Sequence, residues 1–300
     1  MADLISIRDL DKPTIEKLLS VSEKMEKNLF TSYDKFQGKV AATLFFEPST
    51  RTHLSFQTAA QRLGMSVVPY YHASSSSSKG ESLSDTLKIV DGYADLLIIR
   101  HPAEGSARYA AEVCRHPVIN AGDGGNQHPT QTLIDLYTIQ KAKGKIKGLN
   151  VSLIGDLSHA RAMRSLLYGL AMFGAKVKLI APRGLEMDSQ IVEEVKEKFD
   201  AQVEASEQLD LAGADVAYVC RIQKERFSDP YQAAKMQASF RIMPELLLDA
   251  KQDMILLHPL PKIDEIPAEV DASPHAHYFQ QASHGVPVRM AVLEHALKEG

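Results

Sequence analysis

Short apolar runs alternate with segments of helical apolar spacing along nearly all of this 300-residue chain, and that alternation limits the folds open to it. Asp11 to Lys27 comes first, with Ile15, Leu18, Leu19, Val21 and Met25 forming a helical stripe after a Lys-Pro start. Strand-like runs follow at Lys39–Phe46, Ser66–Tyr70, Ala94–Arg100 and Pro117–Ala121, separated by helical stretches at Leu54–Leu63, Ser82–Tyr93 and Ser106–Cys114. A helix begun near Pro129 runs to a break at Gly144 and Gly148. A second alternation then reads strand at Asn150–Ile154, helix at Arg161–Phe173, strand at Lys176–Ile180 and helix at Ser189–Asp200. Strands at Val203–Ala205, Val216–Cys220 and Met254–Leu257 follow, with a last helix near Val286–Lys298. Strands alternating with helices predict an α/β fold with parallel sheets flanked by helices. Length favours two domains, joined near 130–148, with ligands in the crevice between them at the carboxyl ends of the strands.

Composition narrows the function classes. Hydrophobic content of 44% and charged content of 24% describe a water-soluble globular chain. A net charge of −4 gives no reason to expect nucleic acid or an acidic membrane as partner, so any anion site must be local. The N-terminus is too mixed for a signal peptide, and no apolar run approaches the length of a membrane span. Cys114 and Cys220 share no metal or redox spacing, and two cysteines in this length suit a reducing, cytoplasmic setting. No HxxxH or HExxH spacing, no Walker pattern and no GxGxxG between a strand and a helix occurs, so neither a metal nor a nucleotide cofactor is expected.

Polar clusters collect where the strand-like runs end. Phe45-Phe46-Glu47-Pro48 leads into Ser49, Thr50, Arg51 and Thr52 at a predicted helix start. Unpaired N–H groups, the positive end of the helix dipole, three hydroxyls and a forked guanidinium make an anion site. Ser75 to Glu81 follows the second run, Arg100-His101-Pro102 ends the third, and Gly122 to Gln131 follows the fourth. Singly, each has a plain explanation: a serine linker, a surface charge, a glycine turn. Together they bring Arg51, Lys79 and Arg100 to one sheet edge as phosphate-binding cations, with His128 available to polarise a carbonyl and Gln131 three residues on. In the second half, Arg161 and the segment Arg221-Ile222-Gln223-Lys224-Glu225-Arg226 suit a small dicarboxylate. His258-Pro259-Leu260-Pro261 reads as a rigid loop able to offer bare carbonyl oxygens.

Ser49-Thr50-Arg51-Thr52 resembles the carbamoyl-phosphate motif of the transcarbamylases. Lys79-Gly80-Glu81, Arg100-His101-Pro102, His128-Pro129-Thr130-Gln131, Arg221 to Arg226 and His258 to Pro261 resemble aspartate carbamoyltransferases in particular, over residues 4 to 297. The resemblance implies two domains, residues 1–132 with 286–300 for carbamoyl phosphate and 133–285 for L-aspartate. It implies carbamoyl transfer from carbamoyl phosphate to the amine of L-aspartate, an early step of de novo pyrimidine biosynthesis, without a cofactor or metal. Ser49, Thr50, Arg51, Thr52 and Arg100 would bind carbamoyl phosphate, with Thr52, Arg100 and His128 on its carbonyl oxygen. Gln131 and the carbonyls of Leu260 and Pro261 would hold the carbamoyl NH₂, and Arg161, Arg221 and Gln223 the aspartate carboxylates. Ser75 and Lys79 would complete a neighbouring subunit's site in a homotrimer, with Lys79 also near the aspartate; separate regulatory chains are left open. Three positions depart from the common pattern: His53 in place of a second arginine, Ala160 in place of a glycine, and His277 in place of an aromatic; Ser158 and His159 are also unusual. The rivals are an ornithine carbamoyltransferase, which typically carries His-Cys-Leu-Pro, a non-catalytic scaffold of the same fold, and a nicotinamide dehydrogenase, which the missing glycine fingerprint disfavours.

Overall fold

The computed structural model describes residues 2–31, 34–71, 80–223, 227 and 236–298. The chain forms two compact units, Met1–Tyr137 with His284–Gly300, and Thr138–Ser283.

The first unit is built on four parallel strands, β1 (Val40–Phe45), β2 (Ser66–Tyr71), β3 (Leu96–His101) and β4 (Val118–Asp123), in the order β2-β1-β3-β4. Leu96, Leu97, Ile98 and Ile99 are all buried, as a strand covered on both faces requires, which is why the run reads as continuous rather than alternating. Helices α1 (Lys12–Lys27), α2 (Thr50–Arg62), α3 (Leu83–Asp91) and α4 (Ser106–Val113) connect or flank the strands. Asp11 caps α1 by accepting the Thr14 N–H at 2.9 Å, Pro13 sits in its first turn, and Ile15, Leu18, Leu19, Ser22 and Met25 form its buried stripe. Leu44, Leu87, Leu97, Ile99, Ala107, Ala110 and Val118 form a core cluster between sheet and helices. The last helix of the chain, here α9 (Gly285–Lys298), returns to this unit and packs on α1 and α2.

The second unit has five parallel strands, β5 (Asn150–Ile154), β6 (Lys176–Ile180), β7 (Val203–Ser206), β8 (Val216–Val219) and β9 (Ile255–Leu257), in the order β7-β6-β5-β8-β9. Helices α6 (Arg161–Met172), α7 (Ser189–Phe199) and the short α8 (Tyr278–Ser283) belong here; α5 (Pro129–Lys143) begins in the first unit and ends in this one. The core cluster gathers Ile154, Ile180, Leu211, Val219, Ile242, Leu256, Ile266 and Tyr278. Predicted and observed strands and α-helices agree to within a few residues at their ends, except α8, which the sequence pattern did not announce; nor did it announce the short 3-10 helices Ile7–Asp9, Pro244–Asp249 and Ala268–Ala272.

Strand order decides where ligands can bind. In the first sheet β2 lies on one side of β1 and β3 on the other, so connections leave in opposite directions from neighbouring strands β1 and β3. In the second sheet the same reversal falls between β5 and β8. Such a point opens a crevice at the carboxyl edge of the sheet.

Candidate active site

At the first reversal, β1 leads into Ser49, the N-cap of α2, and β3 ends in Arg100 and His101. Phe45 pairs with Arg100 across the sheet, and the Phe46 N–H donates to the Arg100 carbonyl at 2.8 Å, so the two strand ends are locked side by side. The Ser49 side chain makes no cap hydrogen bond within α2, which leaves its hydroxyl available to an anion. Arg51 is exposed in the first turn, and Thr52 is buried. The Arg100 Nε lies 2.7 Å from Glu47 Oε1, and its Nη1 donates to the Ala121 carbonyl at 3.4 Å.

His128 arrives at the same edge from the loop after β4. Asn120 donates to the Ile5 carbonyl and to Asp123 Oδ1, both at 2.9 Å, while its own Oδ1 accepts the Gly122 N–H at 2.7 Å. Asp123 further accepts from the Gly105 N–H at 2.9 Å, the Asn126 amide at 3.0 Å and the Gln127 N–H at 3.1 Å. The glycine-containing loop is therefore braced by a buried carboxylate, and it delivers a buried His128 whose carbonyl accepts the first N–H groups of α5. Gln131 Nε2 donates to Asp135 Oδ1 at 2.8 Å, which leaves its side-chain carbonyl as the group to accept a ligand N–H. Glu47, Asn120, Asp123 and Asp135 were not singled out from sequence; the first three carried only the signal of a place at or beside strand ends, and Asp135, within α5, carried none.

His53, one of the departures, has a local role. Its ring stacks on Phe45 with centroids 4.3 Å apart, and Nε2 lies 3.0 Å from Thr43 Oγ1 and 3.1 Å from Gln57 Nε2. Because the Gln57 amide nitrogen can only donate, Nε2 is an acceptor and the ring is neutral, in keeping with burial lowering its pKa.

At the second reversal, β5 leads through Gly155 and Asp156 to Arg161 at the start of α6, and β8 leads to Arg221 and Gln223. Asp156 is fully buried and accepts from the His159 N–H at 3.0 Å, from His159 Nδ1 at 2.9 Å and from the Gln223 N–H at 3.4 Å. One carboxylate thus ties both strand-end loops, a role not read from the sequence. Gly155 has φ of +120°, and a Cβ there would lie 2.2 Å from the Cys220 carbonyl oxygen, so the close approach of the two loops excludes a side chain. Ala160 has φ of −82° and ψ of 98°, an ordinary conformation that alanine adopts without strain. Beyond β9, Leu260 has φ of +54° and precedes a cis Leu260–Pro261 bond, in a loop that begins at the buried His258. His277 Nδ1 donates to the His275 carbonyl at 3.0 Å.

Burial pushes the Cys220 thiol far up and raises the Cys114 thiol to about 11, which disfavours the nucleophilic thiolate at both free cysteines. Among the described residues no group of His, Cys, Asp and Glu is set to hold a metal, and no helix is long and apolar enough to cross a membrane. Ser75, Lys79 and the segment 224–226 lie outside the described residues.

Both halves of the sequence match known family models. The family model for the aspartate/ornithine carbamoyltransferase carbamoyl-P binding domain matches residues 2–141, and that for the Asp/Orn binding domain matches residues 147–296. The chain belongs to the aspartate/ornithine carbamoyltransferase family. Within it, the chain is 53% identical over 298 residues to the aspartate carbamoyltransferase catalytic subunit of Thermococcus kodakarensis, covering 97% of this chain and 95% of that one. The catalytic subunit of M. jannaschii aspartate transcarbamoylase superposes with a TM-score of 0.93 at 44% identity, covering 100% and 99% of the two chains. The Trypanosoma cruzi enzyme, solved with N-(phosphonacetyl)-L-aspartic acid, gives a TM-score of 0.92 at 36% identity over 97% and 94%.

Proposed function

We propose that this chain is a catalytic chain that transfers the carbamoyl group of carbamoyl phosphate to the amine of L-aspartate, giving N-carbamoyl-L-aspartate and phosphate. The observation that carries it is the placement of Ser49–Thr52 and Arg100 across one strand-order reversal, and of Arg161, Arg221 and Gln223 across the other. The first set is chemically matched to a phosphate and a carbonyl, the second to two carboxylates.

In this reading the aspartate amine arrives unprotonated and attacks the carbamoyl carbon. Negative charge grows on the carbonyl oxygen, where Thr52, Arg100 and His128 donate to it, while Gln131 and the carbonyls of Leu260 and Pro261 hold the NH₂. The C–O bond to phosphate then breaks, Arg51 neutralises the leaving group, and the departing phosphate takes the amine proton. Orientation and charge stabilisation supply the acceleration, with no side chain required as a permanent base. Glu47 occupies Arg100 until the anion replaces it.

A homotrimer with Ser75 and Lys79 completing a neighbour's site fits the exposed apolar side chains Leu54, Val68, Ile89 and Tyr93 of the first unit, which a partner subunit would cover. A cytoplasmic enzyme of pyrimidine biosynthesis accords with two free, buried or half-buried cysteines. The reading is tested by calorimetry with N-(phosphonacetyl)-L-aspartic acid, which joins a phosphonate to the aspartate carboxylates. Binding that is lost in Arg51→Ala and in Arg221→Ala supports it; binding that survives both overturns the assignment.

A further inference from the structure

The steps above make no use of the buried polar pair His258 and Glu265. His258 Nε2 lies 2.9 Å from Glu265 Oε1, with both side chains almost fully buried. The Leu260 N–H donates to His258 Nδ1 at 2.8 Å, so Nδ1 carries no proton. The proton is on Nε2 and is donated to the carboxylate; the ring is neutral. Burial opposes the charge on Glu265, but the His258 hydrogen bond and backbone N–H groups outweigh it and hold the carboxyl below its ordinary range. Oε1 also accepts the Ile263 N–H at 3.2 Å, and the Glu265 carbonyl accepts the Ile242 N–H at 2.8 Å. The His258 N–H in turn donates to Gln281 Oε1 of α8 at 2.9 Å.

These bonds close residues 258–265 into a ring fastened at both ends. Between the fastenings stand Leu260, in a left-handed conformation that costs energy without Gly, and an exposed Pro261. Apolar side chains would fill the same space with equal or better stability, because a buried carboxylate is expensive to desolvate. What the polar pair adds is direction, through the imidazole bridging Leu260 N–H and Glu265.

We propose that His258 and Glu265 are positioning residues that fix the Leu260 and Pro261 carbonyls as acceptors for the carbamoyl NH₂, and so select an acyl phosphate bearing an amide over one that lacks it. This rests on the carbamoyl-transfer reading. A site built around hydrogen bonds to an N–H pair rejects an analogue without it far more strongly than a merely shaped pocket does.

The test compares two probes by calorimetry on the full chain: phosphonoacetamide, which keeps the anion and the amide but cannot transfer, and inorganic phosphate, which lacks the amide. Glu265→Ala is expected to weaken phosphonoacetamide about tenfold while phosphate stays within about twofold. Glu265→Gln, which keeps the acceptor oxygen, is expected to restore the difference. If Glu265→Ala does not fold, His258→Asn carries the test, since its side-chain oxygen can still accept the Leu260 N–H but cannot reach Glu265; the same split is expected. A variant that keeps the parental ratio, or a Glu265→Gln protein that loses as much as Glu265→Ala, overturns the inference while leaving carbamoyl transfer intact. A parent chain that forms no N-carbamoyl-L-aspartate overturns the functional reading, and the inference with it.

Discussion

Arg100 and Glu47 form a partly buried ion pair, Nε to Oε1 at 2.7 Å, at the point where the ends of β1 and β3 meet. The guanidinium assigned to carbamoyl phosphate is therefore already engaged by a carboxylate of the same unit. An incoming anion must compete with it.

Glu47→Gln should relieve that competition. The amide keeps a weaker hydrogen bond but no charge, and the gain for inorganic phosphate is expected to be about 1 kcal/mol, or roughly fivefold tighter binding, as for a charge-assisted bond against a neutral one. Calorimetric titration of parent and variant with phosphate checks this; weaker phosphate binding in the variant would show that Glu47 supports the anion site.

Arg51 and His128 should separate by kinetic signature. Arg51→Ala removes the cation proposed to neutralise the leaving phosphate and is expected to abolish measurable turnover. His128→Ala removes the proposed donor to the developing oxyanion, so kcat should fall about 100-fold or more with little change in substrate binding. Steady-state kinetics with both substrates varied decides; a near-normal rate in Arg51→Ala would remove the site assignment.

Gly155→Ala tests the brace between the β5 and β8 loops. Positive φ and a 2.2 Å approach to the Cys220 carbonyl act together, and the expected loss is about 3 kcal/mol or more. Thermal unfolding measures it, and an unchanged Tm would mean that the loops can part freely.

Acid should weaken the first unit through Asp91. This buried carboxylate accepts from the Arg115 and His116 N–H groups at 3.1 and 3.0 Å, from Arg115 Nε at 3.1 Å and from the His116 ring at 3.0 Å. Burial raises its pKa, but these bonds together win and lower it below the unfolded value. A lowered folded pKa gives stability that is complete above the unfolded value, about 3.9, and is lost as pH falls through the folded one. Urea unfolding at pH 7 should show Asp91→Asn weaker by about 2 kcal/mol, with the gap narrowing below about pH 4. A gap constant with pH would contradict the linkage.

The strands and helices were legible because strands buried on both faces must be continuous apolar runs, as Leu96–Ile99 is, while flanking helices show a repeating stripe, as Ile15 to Met25 does. Strand order was not legible, since a strand's own residues say little about its neighbour, and the reversals between β1 and β3 and between β5 and β8 emerged only in three dimensions. Cations at strand ends, such as Arg51, Arg100, Arg161 and Arg221, stood out because a charge there has few structural reasons. The carboxylates that brace the loops did not. Asp123 and Asp156 each accept several hydrogen bonds, one of them from a distant segment, but an aspartate at a strand end looks the same in sequence whether it binds one N–H or four. The short α8 was missed because six residues hold too few turns for a stripe.

The most direct measurement is a carbamoyl-transfer assay on the purified chain with carbamoyl phosphate and either L-aspartate or L-ornithine. Formation of N-carbamoyl-L-aspartate with aspartate, and no transfer to ornithine, is the expected result, because the site proposed around Arg161, Arg221 and Gln223 suits a second carboxylate that ornithine lacks. Transfer to ornithine alone, or to neither amine by a folded chain, would contradict it.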